Sequence, residues 1–183
     1  MNVREFSYDI DEKTFEELKD QVTDLIDHKG QTAILSANET ALSNYVYALA
    51  EKLKLTDHKY EIWAKNAHSG TSFHVDCDEA MKKEGKLRYP DLASVTYLTE
   101  ANAPTVITDI NDETFNYKEF DNENSLFVSF PKVGKIVTFN PQMYHSAVSI
   151  ENDENRLILL VNFWTEPPAI ENYAPNGSVS EVS

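Results

Sequence analysis

The sequence predicts a mainly β fold with helices at its N-terminus, of the sandwich or jelly-roll kind. Two segments within the first 55 residues repeat apolar side chains every three or four positions, as amphipathic helices do. From about Tyr60 onward, short segments rich in β-branched and aromatic residues alternate with clusters of turn-forming residues. Many short strands punctuated in this way are typical of sandwiches and jelly rolls.

The helical part begins with residues 11–29, where Asp11 can serve as the N-cap and Lys29-Gly30 as the stop. Residues 32–35 predict a short strand. Ser36 and Glu39 form a capping-box pattern ahead of a second helix. The apolar stripe of that helix consists of Leu42, Tyr45, Val46, Leu49 and Leu53. Because neither stripe carries a reactive group, both helices are interpreted as support packed against the rest of the fold.

The β-rich part contains predicted strands separated by turns such as Asn140-Pro141. They span residues 60–65, 92–98, 105–108, 126–130, 135–140, 144–150 and 156–164. Residues 78–86 interrupt the strands and predict a helical turn. We therefore expect one domain over residues 1–170, with helical support at 11–55 and a jelly-roll core at 60–165. A flexible tail is expected at residues 171–183.

The composition limits which partners the protein can bind and which cellular compartment it occupies. The formal net charge of −15 argues against a nucleic-acid partner, since phosphate contacts need a basic surface. No apolar run reaches the length that spans a bilayer, and the N-terminal residues lack the layout of a signal peptide. Cys77 is the single cysteine, which excludes an internal disulfide and fits a reducing cytoplasm. We expect a cytoplasmic protein with no membrane partner.

His74 and Asp76 are the first candidates for chemistry. They are separated by one residue, so on an extended strand both side chains leave the same face. An imidazole beside a carboxylate supplies two of the three ligands of a 2-His-1-carboxylate metal site. The alternative is a His–Asp hydrogen bond on a strand face.

Two later residues complete the pattern. His145 stands at the start of a strand after a turn, where a side chain can reach the mouth of a barrel. Arg156 opens an apolar strand that carries no other charge, and a buried cation there needs a partner. A bidentate anion such as a dicarboxylate would suit it. The alternatives are a hydrogen-bonded core histidine and a structural ion pair.

The order H-x-D at 74–76, a strand with Tyr97, and then His145 and Arg156 spans residues 60–164. With this order the sequence resembles the Fe(II)/2-oxoglutarate-dependent dioxygenases, and among them the prolyl-hydroxylase-like branch. The resemblance implies a double-stranded β-helix, which is a cupin-like jelly roll. It further implies that His74, Asp76 and His145 bind Fe(II). Arg156 would bind the distal carboxylate of 2-oxoglutarate, helped by the phenol of Tyr97, although plain packing also explains a strand tyrosine.

The implied activity is hydroxylation of an unidentified substrate, with release of succinate and CO₂. Its cosubstrates would be 2-oxoglutarate and O₂, and ascorbate would serve as reductant. The substrate could be a prolyl or other amino-acid side chain in a peptide or protein, or a small molecule. Asp76 favours hydroxylation, because related halogenases have a small residue in its place.

The sequence departs from the family pattern at three places. Ala103-Pro104-Thr105 replaces a Gly-Gly-x-Thr turn, and the interval from His145 to Arg156 is slightly longer than usual. The tyrosine often found on the strand before H-x-D has no counterpart, so Asn66 or Trp63 would take its place. Two rival functions stay open: a non-catalytic jelly-roll binding protein, and a cupin-like metalloenzyme that does not use 2-oxoglutarate.

Overall fold

The strands of the chain form two antiparallel sheets, and the chain crosses from one sheet to the other several times. The computed structural model describes residues 2–27, 32–35, 39–66, 70–111, 125–148 and 156–169. Its strands are β1 (Arg4–Ser7), β2 (Ala33–Ile34), β3 (Lys59–Asn66), β4 (Thr71–His74), β5 (Leu92–Tyr97), β6 (Thr105–Asn111), β7 (Leu126–Ser129), β8 (Lys135–Phe139), β9 (Met143–Ala147) and β10 (Leu157–Trp164). Its helices are α1 (Glu12–Asp27), α2 (Ala41–Leu53) and the short α3 (Glu79–Lys83).

The strand order makes the fold a double-stranded β-helix. One sheet has six strands in the order β1-β8-β5-β10-β3-β2, and the other has four in the order β4-β9-β6-β7. From β3 to β5 the chain crosses to the smaller sheet and returns, and from β8 to β10 it does so again. This winding confirms the predicted mainly β class and the jelly-roll architecture.

The two helices cover the outer face of the six-stranded sheet. Leu18 and Val22 of α1 and Leu49 of α2 pack with Ile62 and Phe163 in one buried cluster. Asp11 caps α1 as predicted, because its carboxylate accepts from Thr14 N at 3.0 Å.

The cap of α2 differs from the prediction. Ser36 lies outside the described residues, and the helix begins at Ala41. Its N-cap is Thr40, whose side chain accepts from Ser43 N at 3.2 Å in a capping box with Ser43. The chain offers two closely spaced hydroxyl residues here, and the sequence pattern alone favoured the one followed by a glutamate.

The inner face of the six-stranded sheet packs on the four-stranded sheet. Val95, Tyr97 and Ile158 lie on this inner face and contact a cluster that includes Ile107 and Met143. On β3 the residues alternate: Tyr60, Ile62 and Ala64 point to the helices, so Glu61, Trp63 and Lys65 belong to the inner face.

The predicted strands are present, with bounds that differ by a few residues. β1 was not predicted from the sequence, because its residues do not alternate between apolar and polar. It is an edge strand that pairs with β8. Residues 149–150, the predicted helix end at 28–29 and the predicted flexible tail at 171–183 lie outside the described residues. None of the described helices is long and apolar enough to cross a membrane.

Candidate metal centre

Strand pairing brings the two candidate histidines together. His74 is the last residue of β4 and lies directly opposite His145 of β9. The chain leaves the sheet after His74, so Asp76 is not on a strand as expected from the sequence. Instead Asp76 N donates to Pro141 O at 3.0 Å, which fixes the carboxylate-bearing residue to the turn before β9.

The three side chains converge on one point. Asp76 Oδ1 lies 3.6 Å from Nε2 of His74 and 3.5 Å from Nε2 of His145. One ligand atom from each residue lies within 4.8 Å of the other two. The His145 side chain is 6% exposed, whereas that of His74 is 36% exposed, so one side of the cluster opens to solvent.

Backbone carbonyls hold both imidazoles in the same tautomer. Nδ1 of His74 lies 2.8 Å from Ser72 O, and Nδ1 of His145 lies 2.9 Å from Met143 O. A carbonyl can only accept, so each Nδ1 carries a hydrogen, and in the neutral imidazole Nε2 keeps its lone pair. Both lone pairs are therefore available at the convergence point, as a metal ligand requires.

The electrostatics favour the ligand forms of the side chains. Burial alone would raise the pKa of Asp76, but a hydrogen bond and positive charge from His145, the charge of His74 and a hydrogen bond from Asn162 outweigh it and lower the pKa. Burial lowers the pKa of His74, and the charge of His145 adds to this effect. Near neutral pH Asp76 is thus an anion and His74 a neutral imidazole.

A buried network behind Asp76 was not predicted from the sequence. Asn162 lowers the pKa of Asp76, and its Nδ2 donates to Glu61 Oε2 at 3.4 Å. Trp164 Nε1 donates to the same glutamate oxygen at 2.8 Å. Burial raises the pKa of Glu61 to about 7, against the lowering effect of these two hydrogen bonds. The network links β3 to β10 on the inner face and acts on the carboxyl group of Asp76 through Asn162.

The predicted cosubstrate residues lie farther along the same inner face. Arg156 directly precedes β10 and is 1% exposed. Tyr97 lies opposite Ile158 in the β5–β10 pair, and its hydroxyl donates to Ser129 O at 3.3 Å. Burial raises the pKa of Tyr97, and the positive charge of Arg156 partly offsets that rise, so the phenol and the guanidinium are electrostatic neighbours.

Lys65 joins this group and was missed in the sequence. It lies opposite Ile158 on the other side of β10, so Lys65, Ile158 and Tyr97 form one row across the sheet. Of the two residues suggested in place of the missing tyrosine, Asn66 lies on the helix-facing side of β3. Trp63 lies on the inner face with Lys65. One signal in the sequence could have identified Lys65. It lies two residues after Trp63 and four after Glu61, so all three side chains are on the face of β3 opposite to Tyr60, Ile62 and Ala64.

The sequence has no match among protein-family models. The search of curated proteins also found no match. Solved structures do match in fold. A Pseudomonas putida prolyl-4-hydroxylase superposes with a TM-score of 0.59 at 13% identity, covering 90% of this chain and 93% of its own.

Two further structures were solved with bound groups. HygX from Streptomyces hygroscopicus, with nickel and 2-oxoglutarate bound, has a TM-score of 0.57 at 10% identity and covers 88% of this chain and 82% of its own. The epimerase SnoN, in complex with Fe³⁺, α-ketoglutarate and nogalamycin RO, has a TM-score of 0.59 at 13% identity and covers 96% and 87%. At these identities the likeness shows the fold, which is the double-stranded β-helix that these proteins share with this chain.

Proposed function

We propose that this protein is an Fe(II)- and 2-oxoglutarate-dependent oxygenase. One observation carries the proposal: the imidazole Nε2 atoms of His74 and His145 lie 3.6 and 3.5 Å from Asp76 Oδ1. Two imidazoles and one carboxylate on one side of an open position form the donor set that non-haem Fe(II) oxygenases use. The solved structures with nickel or Fe³⁺ and the 2-oxo acid support the proposal at the level of the fold.

The residues present fit the metal. His74 and His145 would each offer Nε2, since their Nδ1 atoms are engaged by carbonyls of their own strands. Asp76 would offer one carboxylate oxygen, which is held in the ionised form by its neighbours. Oriented histidines of this kind keep the ligand geometry when the metal is absent and raise its affinity when it is present.

Arg156 would hold the distal carboxylate of 2-oxoglutarate. Its side chain is buried on the inner face near Tyr97. A guanidinium presents a fork of N–H donors that matches a carboxylate, and burial strengthens that contact. Tyr97 would add its hydroxyl to the same end, and the walls of the two sheets would exclude water from the bound acid.

Bound iron and 2-oxoglutarate would supply the oxidising chemistry: one oxygen atom of O₂ enters the substrate and the other enters succinate as CO₂ leaves. The finer proposal is a hydroxylase of the prolyl-hydroxylase-like branch, acting on a prolyl or other amino-acid side chain. Asp76 supports hydroxylation, because its carboxylate would bind the metal where a related halogenase, with a small residue in its place, would bind a halide. Cytoplasmic placement and ascorbate as reductant complete this proposal.

Succinate production tests the proposal. Purified protein loaded with Fe(II) is incubated with 2-oxoglutarate, ascorbate and O₂, and succinate is measured by NMR with and without prolyl peptides. We expect slow turnover even without substrate, and none in His145→Ala. Metal binding without succinate would instead favour a cupin-like enzyme of another class, and loss of both would favour a binding protein.

A further inference from the structure

Glu61 lies at the level of the candidate metal site on the inner face of the six-stranded sheet. One row of paired residues crosses this face from β3 to β8 and consists of Glu61, Asn162, Ala93 and Phe139. Residues that pair directly across antiparallel strands point to the same face. Phe139, at the far end of the row, packs against the ring of His145 at 4.7 Å. The row therefore runs at the level of the proposed metal ligands, with Glu61 at its β3 end.

A second set of contacts joins Glu61 to the segment that follows Asp76. Trp164 Nε1 donates to Glu61 Oε2 at 2.8 Å, and the guanidinium of Arg88 lies over the Trp164 ring at 5.4 Å. Arg88 in turn donates to Asp78 Oδ2 at 2.6 Å. Because Asp78 is two residues beyond Asp76, these contacts also place Glu61 beside the ligand-bearing segment.

The carboxyl group of Glu61 has one oxygen without a partner. Asn162 and Trp164 both donate to Oε2, and within the described part of the chain nothing donates to Oε1 or forms an ion pair with Glu61. The buried Asp78, by contrast, is paired with Arg88. A partly buried carboxylate with no cation beside it is costly, and burial accordingly raises the pKa of Glu61 to about 7. A positively charged ligand would remove this cost.

Trp63 provides an aromatic surface on the same face of β3. It lies two residues after Glu61, and its side chain is half-buried. It belongs to neither of the two hydrophobic clusters of the described residues. The side chain of His74 is also partly exposed, so solvent reaches both the metal centre and this part of β3. An aromatic ring near a carboxylate suits a cation on an alkyl chain, since the ring attracts the charge and covers the chain.

We propose that Oε1 of Glu61 binds an alkylammonium group of the substrate, which is a lysine side chain or a small aliphatic amine. The inference rests on the proposed function and narrows its substrate class. The ammonium donates to Oε1, and the alkyl chain lies along Trp63, so that its carbon atoms approach the proposed metal site. The formal net charge of −15 favours the approach of a cation to this protein.

Two pairs of probes test the charge and separate the two sources of the ammonium. One pair is Nα-acetyl-lysine methylamide and its analogue with a hydroxyl group in place of the ammonium. The other pair is pentylamine and pentanol. Protein loaded with Mn(II) and 2-oxoglutarate is titrated with each probe in the absence of O₂, at about pH 8, where Glu61 is largely ionised.

Paramagnetic relaxation of the alkyl protons of each probe is measured by NMR. Mn(II) relaxes only protons that are bound near it, so amines held elsewhere on the acidic surface do not contribute. We expect wild-type protein to bind at least one amine about 10–100-fold more tightly than the matched alcohol, as a charge-assisted hydrogen bond provides. A preference for the blocked lysine alone identifies an amino-acid side chain as the substrate, and a preference for pentylamine identifies a small amine.

Variants of Glu61 test whether this residue produces the preference. Glu61→Gln keeps an oxygen acceptor for Asn162 and Trp164 but removes the charge, so it should bind each amine no more tightly than its alcohol. Glu61→Asp keeps the charge on a shorter chain and should retain part of the preference. Glu51→Gln is the matched control, because Glu51 is exposed on α2, and it should retain all of the preference. Thermal unfolding and Mn(II) stoichiometry establish that each variant is folded and metal-loaded.

Three results would overturn the role of Glu61. They are equal affinity of wild-type protein for both members of each pair, a preference that persists in Glu61→Gln, and failure of all four probes to bind near the metal. None of them affects the proposed function. That function fails instead if iron-loaded wild-type protein binds no 2-oxoglutarate or makes no succinate.

Discussion

His74 lies directly opposite His145 across the β4–β9 pair, with ring centroids 4.3 Å apart. Each imidazole donates from Nδ1 to the carbonyl two residues earlier on its own strand. Two neighbouring strands thus use the same local bond to aim two Nε2 atoms at one carboxylate. Phe139 packs edge-on against His145 at 4.7 Å and limits the motion of that ring.

The first prediction concerns the metal. His74→Ala or Asp76→Ala removes one of three proposed ligands, and we expect loss of Fe(II), Mn(II) and Ni(II) binding measured by calorimetry. Cys77→Ser is the control, since Cys77 follows Asp76 in the chain but its thiol faces Glu79 at 3.6 Å. If both ligand variants still bind one metal ion per chain, the proposed metal site is wrong.

The second prediction concerns Arg156. Arg156→Ala should weaken 2-oxoglutarate binding by about 2–5 kcal/mol, as loss of one member of a buried charge pair does. Metal stoichiometry should stay unchanged, because Arg156 is not among the residues that converge on Asp76. Arg156→Lys should recover only part of the affinity, since an ammonium does not reproduce the guanidinium fork.

The exposed Lys132 provides the control for Arg156. Lys132→Ala removes one positive charge from the surface and should leave 2-oxoglutarate affinity within the error of the measurement. If Arg156→Ala binds the acid as tightly as Lys132→Ala does, the anchor for the distal carboxylate lies elsewhere.

The order of the candidate ligands could be predicted because it depends on spacing along the chain. H-x-D, a distant histidine and one arginine on an apolar strand are features of single segments. The position of Lys65 depends instead on which alternation of β3 faces the second sheet, and a lysine on a strand is usually exposed. The sequence of β3 alone does not show which face is turned to the second sheet. That becomes clear only when the helices are seen to pack against Tyr60 and Ile62.

The supporting network behind Asp76 was beyond prediction for a related reason. Glu61 and Asn162 meet because β3 and β10 pair antiparallel with these two residues opposite each other. That register joins positions 101 residues apart in the chain. No local pattern encodes the pairing, whereas the cap of α1 and the apolar stripes of α1 and α2 arise from neighbouring residues and were predictable.

The third prediction concerns Asn162, which lies on the inner face of β10 and lowers the pKa of Asp76. Asn162→Leu keeps a similar volume but removes the amide group that acts on the carboxylate. We expect about 10–100-fold weaker metal binding, which is typical of the loss of a residue that orients a ligand. Asn162→Gln should retain part of the affinity. Equal metal affinity in wild-type protein and the leucine variant would show that Asp76 needs no orientation from β10.

The last prediction concerns the pH dependence of stability. Burial raises the pKa of Glu61 to about 7 in the folded protein, from an ordinary value of 4.5. Between these values the folded state holds a proton that the unfolded state has lost, so this contribution is full below pH 4.5 and disappears as pH rises through 7. Glu61→Gln removes the titration and keeps an acceptor for Trp164 Nε1. Chemical unfolding of metal-free protein should therefore show the variant gaining stability over wild type between pH 5 and pH 8, by up to about 3 kcal/mol. An equal difference between the two proteins at both pH values would mean that Glu61 is ionised throughout, with its charge already compensated by Trp164 and Asn162.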